Sequence, residues 1–423
     1  MSKVKSIFEL PEFKPYEKAW NTRVKTLSKR ASYYDGSIYN ENKKDLGWLM
    51  PRLYRGIKPL YLPLASAVDV DCGIIPGDWK LPEEDSRTEG WQNAIDTVFD
   101  WSNWDTDGVL YVHYGAQYGV SGLRVADLRD IQKVIVQPID PTLYMPIGMS
   151  AYDNKPDMSI MIETRQDTSG DDFQYAEVIT PQQIRTFKAG EPFGFDGRDA
   201  EYGNEQGFVP FVEIRHIETG KPFGECTFQK AIPLLDEVNE MASYLADIIK
   251  KNVEPQWFAR GIEPSDLTQS GDNVWFATSP DSDMRPLVPG IDIDGVLAFV
   301  KEIAANVDRA LPERAFDDIR RKDQIATATL ELQLMELVLK IKRVRPNYDK
   351  GLKQALQMAG KAAKTMGLSE IAVLDDEELR FDDQRPILPV DEESQMKLEM
   401  TRLELEIMRN SVRNSAITEG ADA

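Results

Sequence analysis

The chain of 423 residues has few of the side chains that bind metals or form disulfides, with two cysteines and two histidines. Cys72 and Cys226 lie far apart in sequence, and we expect them to be free thiols of an intracellular protein. His113 and His216 each stand in a run of residues typical of a strand, with no second histidine or cysteine at ligand spacing. We therefore expect no metal site.

The sequence also lacks the motifs of export, membrane insertion and common catalysis. No run of about 18 apolar residues occurs, so we expect no membrane span. The N-terminal segment MSKVKSIFELPEF has neither the apolar core nor the cleavage site of a signal peptide, which argues against export. No phosphate-binding G-x-x-x-x-G-K-[ST] loop and no G-x-S-x-G turn is present, and we expect no enzymatic activity and no cofactor.

Basic residues are fewer than acidic ones, with 50 lysines and arginines against 71 aspartates and glutamates, and the net charge is −21. Such a chain repels phosphates, which disfavours DNA binding by a broad basic surface. A channel through which DNA slides must not grip the backbone, so an acidic wall is compatible with it. Ordinary cytoplasmic proteins are often acidic as well, and charge alone does not separate these possibilities.

The clearest pattern is a helix within the segment from Gly224 to Val253. Pro233 is tolerated near its start and Pro255 ends it. Apolar residues recur at helical spacing on one side: Leu234, Leu235, Val238, Met241, Ala242, Leu245, Ile248 and Ile249. The opposite side carries Glu237, Glu240, Tyr244, Asp247 and Lys251. The residue pattern by itself predicts one amphipathic helix of an α+β protein.

The N-terminal half predicts two helices and a strand-rich region. The helices contain Tyr16 to Leu27 and Trp91 to Trp104, and a strand is expected from Val109 to Gly115. Four further strands are predicted at 133–141, 158–164, 175–181 and 209–217, separated by turn residues. Trp101, Trp104, Asp105 and Asp107 are also compatible with a carbohydrate-hydrolysing site, the enzyme alternative that we considered.

The C-terminal half alternates a β excursion with helices. QWFAR and NVWFAT, between Val253 and Asp292, are typical of strands. A helix capped by Asp294 is expected to end near Pro312. A longer helix is predicted from Ile325 to Arg345, broken by Pro346 and resumed to Gly367. Helical spacing returns at Leu398, Leu403, Leu405 and Met408.

This order of elements resembles the portal proteins of tailed double-stranded DNA bacteriophages. The resemblance is carried by Tyr33-Tyr34-Asp35-Gly36, which matches a "YYxG" element, and by a "GxxPhV" strand at Gly207 to Val212. A "PLxDxxN" element matches Pro233 to Asn239, where the family begins its stem. The family often has a glycine-bearing "SG-A" element before its long helix. Here Gln324 to Ala328 lacks that glycine, so the tunnel-loop register is set only to within several residues.

The resemblance implies an α+β portal fold that forms a ring. Its parts are a β-rich wing with N-terminal helices, a two-helix stem, a small clip, a tunnel loop, a long tunnel helix with the return to the wing, and a helical crown. The implied ranges are 1–223 for the wing, 224–252 and 292–310 for the first and second stem helices, and 253–291 for the clip. The tunnel loop would span 311–324, the tunnel helix with the return to the wing 325–368, and the crown 369–423.

The same resemblance implies positions for the functional surfaces. Channel and tunnel-loop residues would be Arg309, Glu313, Arg314, Arg320, Arg321 and Lys322, which could equally pair with acids between subunits. Channel-facing stem residues would be Glu237, Glu240 and Asp247. Residues that dock partners at the clip would be Trp257, Phe258, Trp275 and Phe276.

The implied function is a ring-shaped channel at one capsid vertex of the virion, assembled in the host cytoplasm. Double-stranded DNA is packaged through such a ring and later ejected. The implied assembly is a dodecameric homo-oligomer that contacts the terminase large subunit, head-completion adaptors and the major capsid protein, with scaffold protein as a further candidate and no membrane. The alternative is a structural or scaffold-type virion protein that is not a portal.

Overall fold

We describe the chain from a computed structural model. It describes residues 6–40, 61–76, 81–82, 86–149, 155–166, 170–194, 198–221, 223–253, 256–260, 268–269, 275–276, 283–287, 292–315 and 334–381. The helices within these ranges are α1 (Glu17–Tyr34), α2 (Ser37–Asn40), α3 (Leu64–Ile74), α4 (Thr88–Trp101), α5 (Trp104–Asp107), α6 (Leu110–Tyr118), α7 (Ile232–Val253), α8 (Ile293–Arg309), α9 (Met335–Met366) and α10 (Ser369–Ala372).

The strands complete an α+β fold, as the sequence predicts. They are β1 (Val120–Leu128), β2 (Lys133–Ile139), β3 (Tyr144–Ile147), β4 (Met158–Gln166), β5 (Asp172–Ile179), β6 (Gln183–Lys188), β7 (Glu191–Pro192), β8 (Glu201–Gly203), β9 (Phe211–Arg215), β10 (Gln256–Arg260), β11 (Thr268–Gln269), β12 (Trp275–Phe276) and β13 (Asp283–Leu287).

Within the described residues the strand pairs are antiparallel, and neither main sheet closes on itself. The smaller sheet has the order β2-β1-β9, with Val125 opposite Val136 and Leu123 opposite Val212. The larger sheet has the order β3-β4-β5-β6-β7, and β8 also pairs with β6. The four strands predicted from sequence between residues 133 and 217 are therefore confirmed as β2, β4, β5 and β9. Strands β1, β3, β6, β7 and β8 were missed.

The largest apolar cluster lies where α9 packs against the smaller sheet. Helix α9 contributes fully buried residues that recur at helical spacing, as expected for one face of a helix. They include Ile341, Val344, Tyr348, Leu352, Ala355, Leu356 and Ala359. Helix α4 packs on the same cluster through Trp91, Ile95 and Val98. A second cluster joins α3, α7 and α8, and a third packs the N-terminal segment against the larger sheet.

The prediction that Pro346 breaks the long helix is wrong. Helix α9 runs without interruption for 32 residues through Pro346, about 48 Å at 1.5 Å per residue. The proline is exposed, while Arg345 beside it donates to the carbonyls of Ile74 and Ile75 at 2.8 and 3.1 Å. Burial on both sides of the proline therefore outweighs a local cost of about 3 kcal/mol.

The strand predicted from Val109 to Gly115 is also wrong, because this segment forms α6. Tyr111, Val112, Gly115 and Ala116 are buried, and this spacing places them on one helical face. Gly119 ends the helix with φ +83°, a left-handed conformation that glycine adopts without strain. His113 consequently lies on a helix, while His216 follows directly after β9.

The limits of two other helices also differ from the sequence prediction. Asp292, and not Asp294, caps α8, because its carboxylate accepts a hydrogen bond from the Gly295 N–H at 3.0 Å. Helix α7 begins at Ile232, so residues 224–231 precede it, with a β-bridge from Glu225 to Ile217 and turns from residue 227 onward. The predicted segment 325–333 and the crown helix at 398–408 lie outside the described residues.

Candidate channel and docking surfaces

Helices α7 and α8 form a hairpin whose base is buried and whose outer part is exposed. At the base, Leu235 and Val238 of α7 share an apolar cluster with Ile303 and Val307 of α8. No residue of α8 before Ile303 is buried, and Leu245 is the last residue of α7 described as buried. The outer parts of the two helices therefore project from the body of the protomer.

The projecting parts carry exposed apolar side chains. Ile249 of α7 is 44% exposed, and Leu297 and Phe299 of α8 are 36% and 48% exposed. Single exposed apolar residues are common, but these three are gathered on one projecting hairpin. Such a surface suits contact with another protein chain.

The polar side of α7 is only partly open to solvent. Of the predicted channel-facing residues, Glu237 is exposed and Glu240 is half-buried. The side chain of Asp247 lies outside what the structure describes. A channel role for the acidic side of α7 therefore stays a prediction.

Two short β ribbons connect the two helices. Strand β10 pairs with β13, with Trp257 opposite Pro286 and Phe258 opposite Arg285. Strand β12 pairs with β11, so that Trp275 and Phe276 stand opposite Gln269 and Thr268. The aromatic residues predicted to dock partners thus belong to two different ribbons, and a docking role for them stays a prediction.

The base of the hairpin is fixed by hydrogen bonds from the N-terminal region to the Pro233–Asn239 segment. The Tyr33 and Tyr39 hydroxyls donate to the two carboxylate oxygens of Asp236 at 2.9 and 2.8 Å. The buried Asn239 side chain accepts from the Tyr61 N–H at 2.8 Å. Burial raises the pKa of Asp236, and the two tyrosine hydroxyls oppose that rise.

Helix α8 is fixed at its end by a second set of polar contacts. The Tyr61 hydroxyl donates to Asp308 at 2.6 Å, and burial with this bond raises the pKa of Tyr61 to about 12. Arg314 donates to the same carboxylate at 3.2 Å and to the Ser66 hydroxyl at 3.0 Å. Tyr61 therefore bridges the two helices of the hairpin at their base.

A buried cluster of charges joins the residues after α8 to the start of α9. Lys340 contacts the Asp71 carboxylate at 3.2 Å and forms a closer ion pair with Glu313. The side chains of Asp71 and Glu313 are fully buried. Burial and then the Asp71 carboxylate raise the pKa of Glu313 to about 7, against the pull of Lys340. Burial would also raise the pKa of Asp71, but Lys340 and hydrogen bonds lower it to about 2.

A chain of hydrogen bonds extends this cluster into the core. The Tyr348 hydroxyl lies 2.8 Å from His216 Nδ1, and the Thr227 hydroxyl lies 3.0 Å from His216 Nε2. The Thr227 hydroxyl also donates to Asp71. Burial lowers the pKa of His216 despite the attraction of Asp71. We therefore assign a neutral imidazole that accepts from Tyr348 and donates to Thr227.

This arrangement differs from a nucleophile–histidine–carboxylate triad. In a triad the carboxylate holds one imidazole nitrogen and the nucleophile holds the other. Here Asp71 lies 3.5 Å from Nε2, the nitrogen that also faces Thr227, and Nδ1 faces Tyr348. Asp71 and His216 are fully buried, and the hydrogen bonds of this cluster connect α3, the segment after β9 and α9.

The predicted tunnel-loop residues take different positions. Arg309 is exposed and donates to the Asn306 side chain at 2.9 Å, while Arg314 lies at the hairpin base. Glu313 was predicted to line a channel, but its side chain is fully buried within the protomer against Lys340. This position therefore corrects the prediction for Glu313. Arg320, Arg321 and Lys322 lie outside the described residues.

The cysteines are free thiols, as predicted, and both are poorly reactive. Burial and the nearby Asp71 raise the pKa of Cys72 to about 12, and burial raises the pKa of Cys226 to about 11. Among the described residues, no group of three His, Cys, Asp or Glu side chains is arranged to hold a metal ion. The helices in those ranges include none that is both long and apolar enough to span a membrane.

Comparison with known proteins gave a similarity among solved structures. No protein-family model and no curated protein matches the sequence. Among solved structures, the chain is similar to a component of the neck of an empty GTA particle computed with C6 symmetry. The TM-score is 0.39 and the identity 14%, over 82% of this chain and 87% of the other. This similarity is too low to assign a role.

Proposed function

We propose that this chain is the subunit of a bacteriophage portal, a ring at one capsid vertex through which double-stranded DNA is packaged and ejected. One observation carries the proposal. Two of the sequence elements that resemble portal proteins, Tyr33 to Gly36 and Pro233 to Asn239, meet through the Tyr33–Asp236 hydrogen bond at 2.9 Å. They meet at the base of a projecting helix hairpin that carries β ribbons between its helices.

Ring formation is supported by the exposed apolar residues of that hairpin. Ile249, Leu297 and Phe299 would leave water if hairpins from successive subunits packed side by side. A head-to-tail contact that closes after a fixed number of copies gives a ring. We infer a dodecamer from the family resemblance.

Within this ring, Glu237, Glu240 and Asp247 would face the channel and discourage DNA phosphates from binding its wall. Arg309, Arg314, Arg320, Arg321 and Lys322 would lie near the tunnel loop. The ribbons with Trp257 and Trp275 would dock the terminase large subunit during packaging and head-completion adaptors afterwards. The major capsid protein, with scaffold protein as a further candidate, would contact the wing.

The proposed protein has no chemistry of its own, and ATP hydrolysis belongs to the docked terminase. Its place is the virion, after assembly in the host cytoplasm. Negative-stain images of the purified protein test the proposal. We expect rings with a hole on the symmetry axis, whereas solid particles of the size of one or two subunits would count against it.

A further inference from the structure

Helix α1 presents a lysine-rich side to solvent. Trp20, Arg23 and Leu27 are buried, and they fix which side of the helix faces the body. The exposed side carries Lys18, Thr22, Lys25 and Lys29, at steps of four, three and four residues. This spacing aligns the three lysines along one line of the helix surface. In a chain of net charge −21 such a basic line is complementary to the acidic surfaces of other copies.

Helix α4 presents the matching acidic side. Trp91, Ile95 and Val98 are buried against the core. The exposed side carries Glu89, Asn93, Asp96 and Asp100, again at steps of four, three and four residues. The acidic line therefore has the same spacing as the lysine line.

The two lines correspond position by position. With the helices side by side and parallel, Lys18 meets Glu89, Thr22 meets Asn93, Lys25 meets Asp96 and Lys29 meets Asp100. Each line covers about 16 Å of helix at 1.5 Å per residue. Every charged position of one line would thus find an opposite charge, and the remaining position would pair a hydroxyl with an amide.

The two helices are attached to opposite edges of the smaller sheet. Helix α1 is tied to the β9 edge, where the buried Arg23 pairs with Glu213 at 2.8 Å. Helix α4 is tied to the β2 edge, where the Ser102 hydroxyl that follows the helix accepts from the Val136 N–H at 2.9 Å. A head-to-tail contact between copies requires two different, complementary surfaces of this kind.

We propose that the lysine line of α1 in one copy packs against the acidic line of α4 in the next copy. The inference rests on the proposed ring and names one of its subunit contacts. Acidic copies repel each other, and a repeated contact of opposite charges offsets that repulsion locally. Because each exposed ion pair is weak and screened by salt, the contact acts as an array and weakens as salt rises.

Charge reversal tests the contact. One variant carries Lys18→Glu, Lys25→Glu and Lys29→Glu, and the other carries Glu89→Lys, Asp96→Lys and Asp100→Lys. Each variant alone has two contact surfaces of like charge, and we expect at least a tenfold loss of rings by native mass measurement. An equimolar mixture regains rings in which the two variants alternate, which restricts them to even numbers of subunits. A chain with all six changes regains them as well.

Controls separate this contact from folding and from total charge. A variant with Lys342→Glu, Lys350→Glu and Lys364→Glu changes charge equally at exposed positions of α9, and we expect it to form rings normally. Thermal melts of every variant establish that it folds. Rings from either reversed variant alone would overturn the contact. Loss of rings that neither the mixture nor the six-fold variant restores would also overturn it and would favour a different anionic partner for α1. A folded wild-type chain without rings would instead refute the proposed function itself.

Discussion

The Tyr33 hydroxyl donates to the Asp236 carboxylate at 2.9 Å, although the two residues are 203 positions apart in sequence. Tyr39 donates to the other oxygen of the same carboxylate. The bonds attach the first turns of α7 to the end of α1 and to α2. The base of the hairpin is therefore held by specific polar contacts as well as by apolar packing.

Replacing Tyr33 by phenylalanine should loosen this attachment. The change leaves one oxygen of a half-buried carboxylate without its donor, which costs about 1–3 kcal/mol. We expect a lower Tm, and a further decrease with Tyr39→Phe. Tyr16→Phe is the control, because it makes the same chemical change at a less buried tyrosine of the N-terminal region. Equal thermal stability of Tyr33→Phe and the control would show that the bond contributes nothing.

Glu313 predicts a pH dependence of stability. Its pKa rises from about 4.5 in the unfolded chain to about 7 in the folded protein, so the folded state binds the proton more tightly. Stability linked to this group is therefore complete below pH 4.5 and is lost as pH rises towards 7. The loss is on the order of 3 kcal/mol, from 1.36 kcal/mol per pKa unit.

The variant Glu313→Gln removes this titration. We expect unfolding free energy measured from pH 4.5 to 8 to fall less steeply for the variant than for the wild type. Glu302→Gln, at an exposed position of α8, should keep the wild-type slope. The prediction concerns the slope and not absolute stability, because the variant also loses its ion pair with Lys340. Parallel curves for Glu313→Gln and wild type would contradict it.

The close packing around Gly115 predicts that adding a side chain there would disturb the core. A methyl group at this position would overlap the Tyr348 hydroxyl, which bonds to His216. We expect Gly115→Ala to lower stability by about 1–3 kcal/mol, the usual cost of overpacking a core. In α4, a methyl group on Gly90 meets no atom within 4 Å, so Gly90→Ala should be neutral or stabilising. Chemical denaturation of both variants measures the contrast, and equal effects would refute the close packing at Gly115.

The acidic side of α7 predicts an effect on DNA passage. If these residues line the proposed channel, changing Glu237, Glu240 and Asp247 to lysine places cations beside the DNA phosphates, and we expect slower packaging with intact rings. The rate of DNA packaging into empty heads measures the effect, with native mass as the control for assembly. Packaging at the wild-type rate by intact variant rings would remove these residues from the channel wall.

Local patterns were sufficient to predict much of the fold. The apolar spacing of α7 and α8 and the short, mostly apolar runs of β4 and β5 between turn residues are visible in short windows of sequence. The segment from Val109 to Gly115 was too short and too uniformly apolar for its period to be read, and it forms a helix. The predicted helix break at Pro346 was wrong because local helix propensity does not include the burial of the neighbouring Arg345 and Tyr348.

The buried polar contacts could not be predicted in the same way. Asp71, His216, Thr227 and Lys340 come together only because α3, the segments after β9 and α9 meet in the core. No spacing in the sequence signals that meeting. The only available signal was the rarity of histidine, which singled out His216 without identifying its partners. The same limit explains why Glu313 was predicted at a channel wall when it is buried.

The central claim is that the α7–α8 hairpins of many copies stand side by side around a hollow axis. Native mass measurement of the purified protein, with Phe299→Asp as a comparison, tests it most directly. We predict a closed assembly of about twelve subunits for the wild type, the number that we infer from the family resemblance, and its loss in a folded variant that places a charge in the apolar contact. A stable wild-type monomer or dimer under assembly conditions, or an assembly indifferent to Phe299→Asp, would contradict the claim.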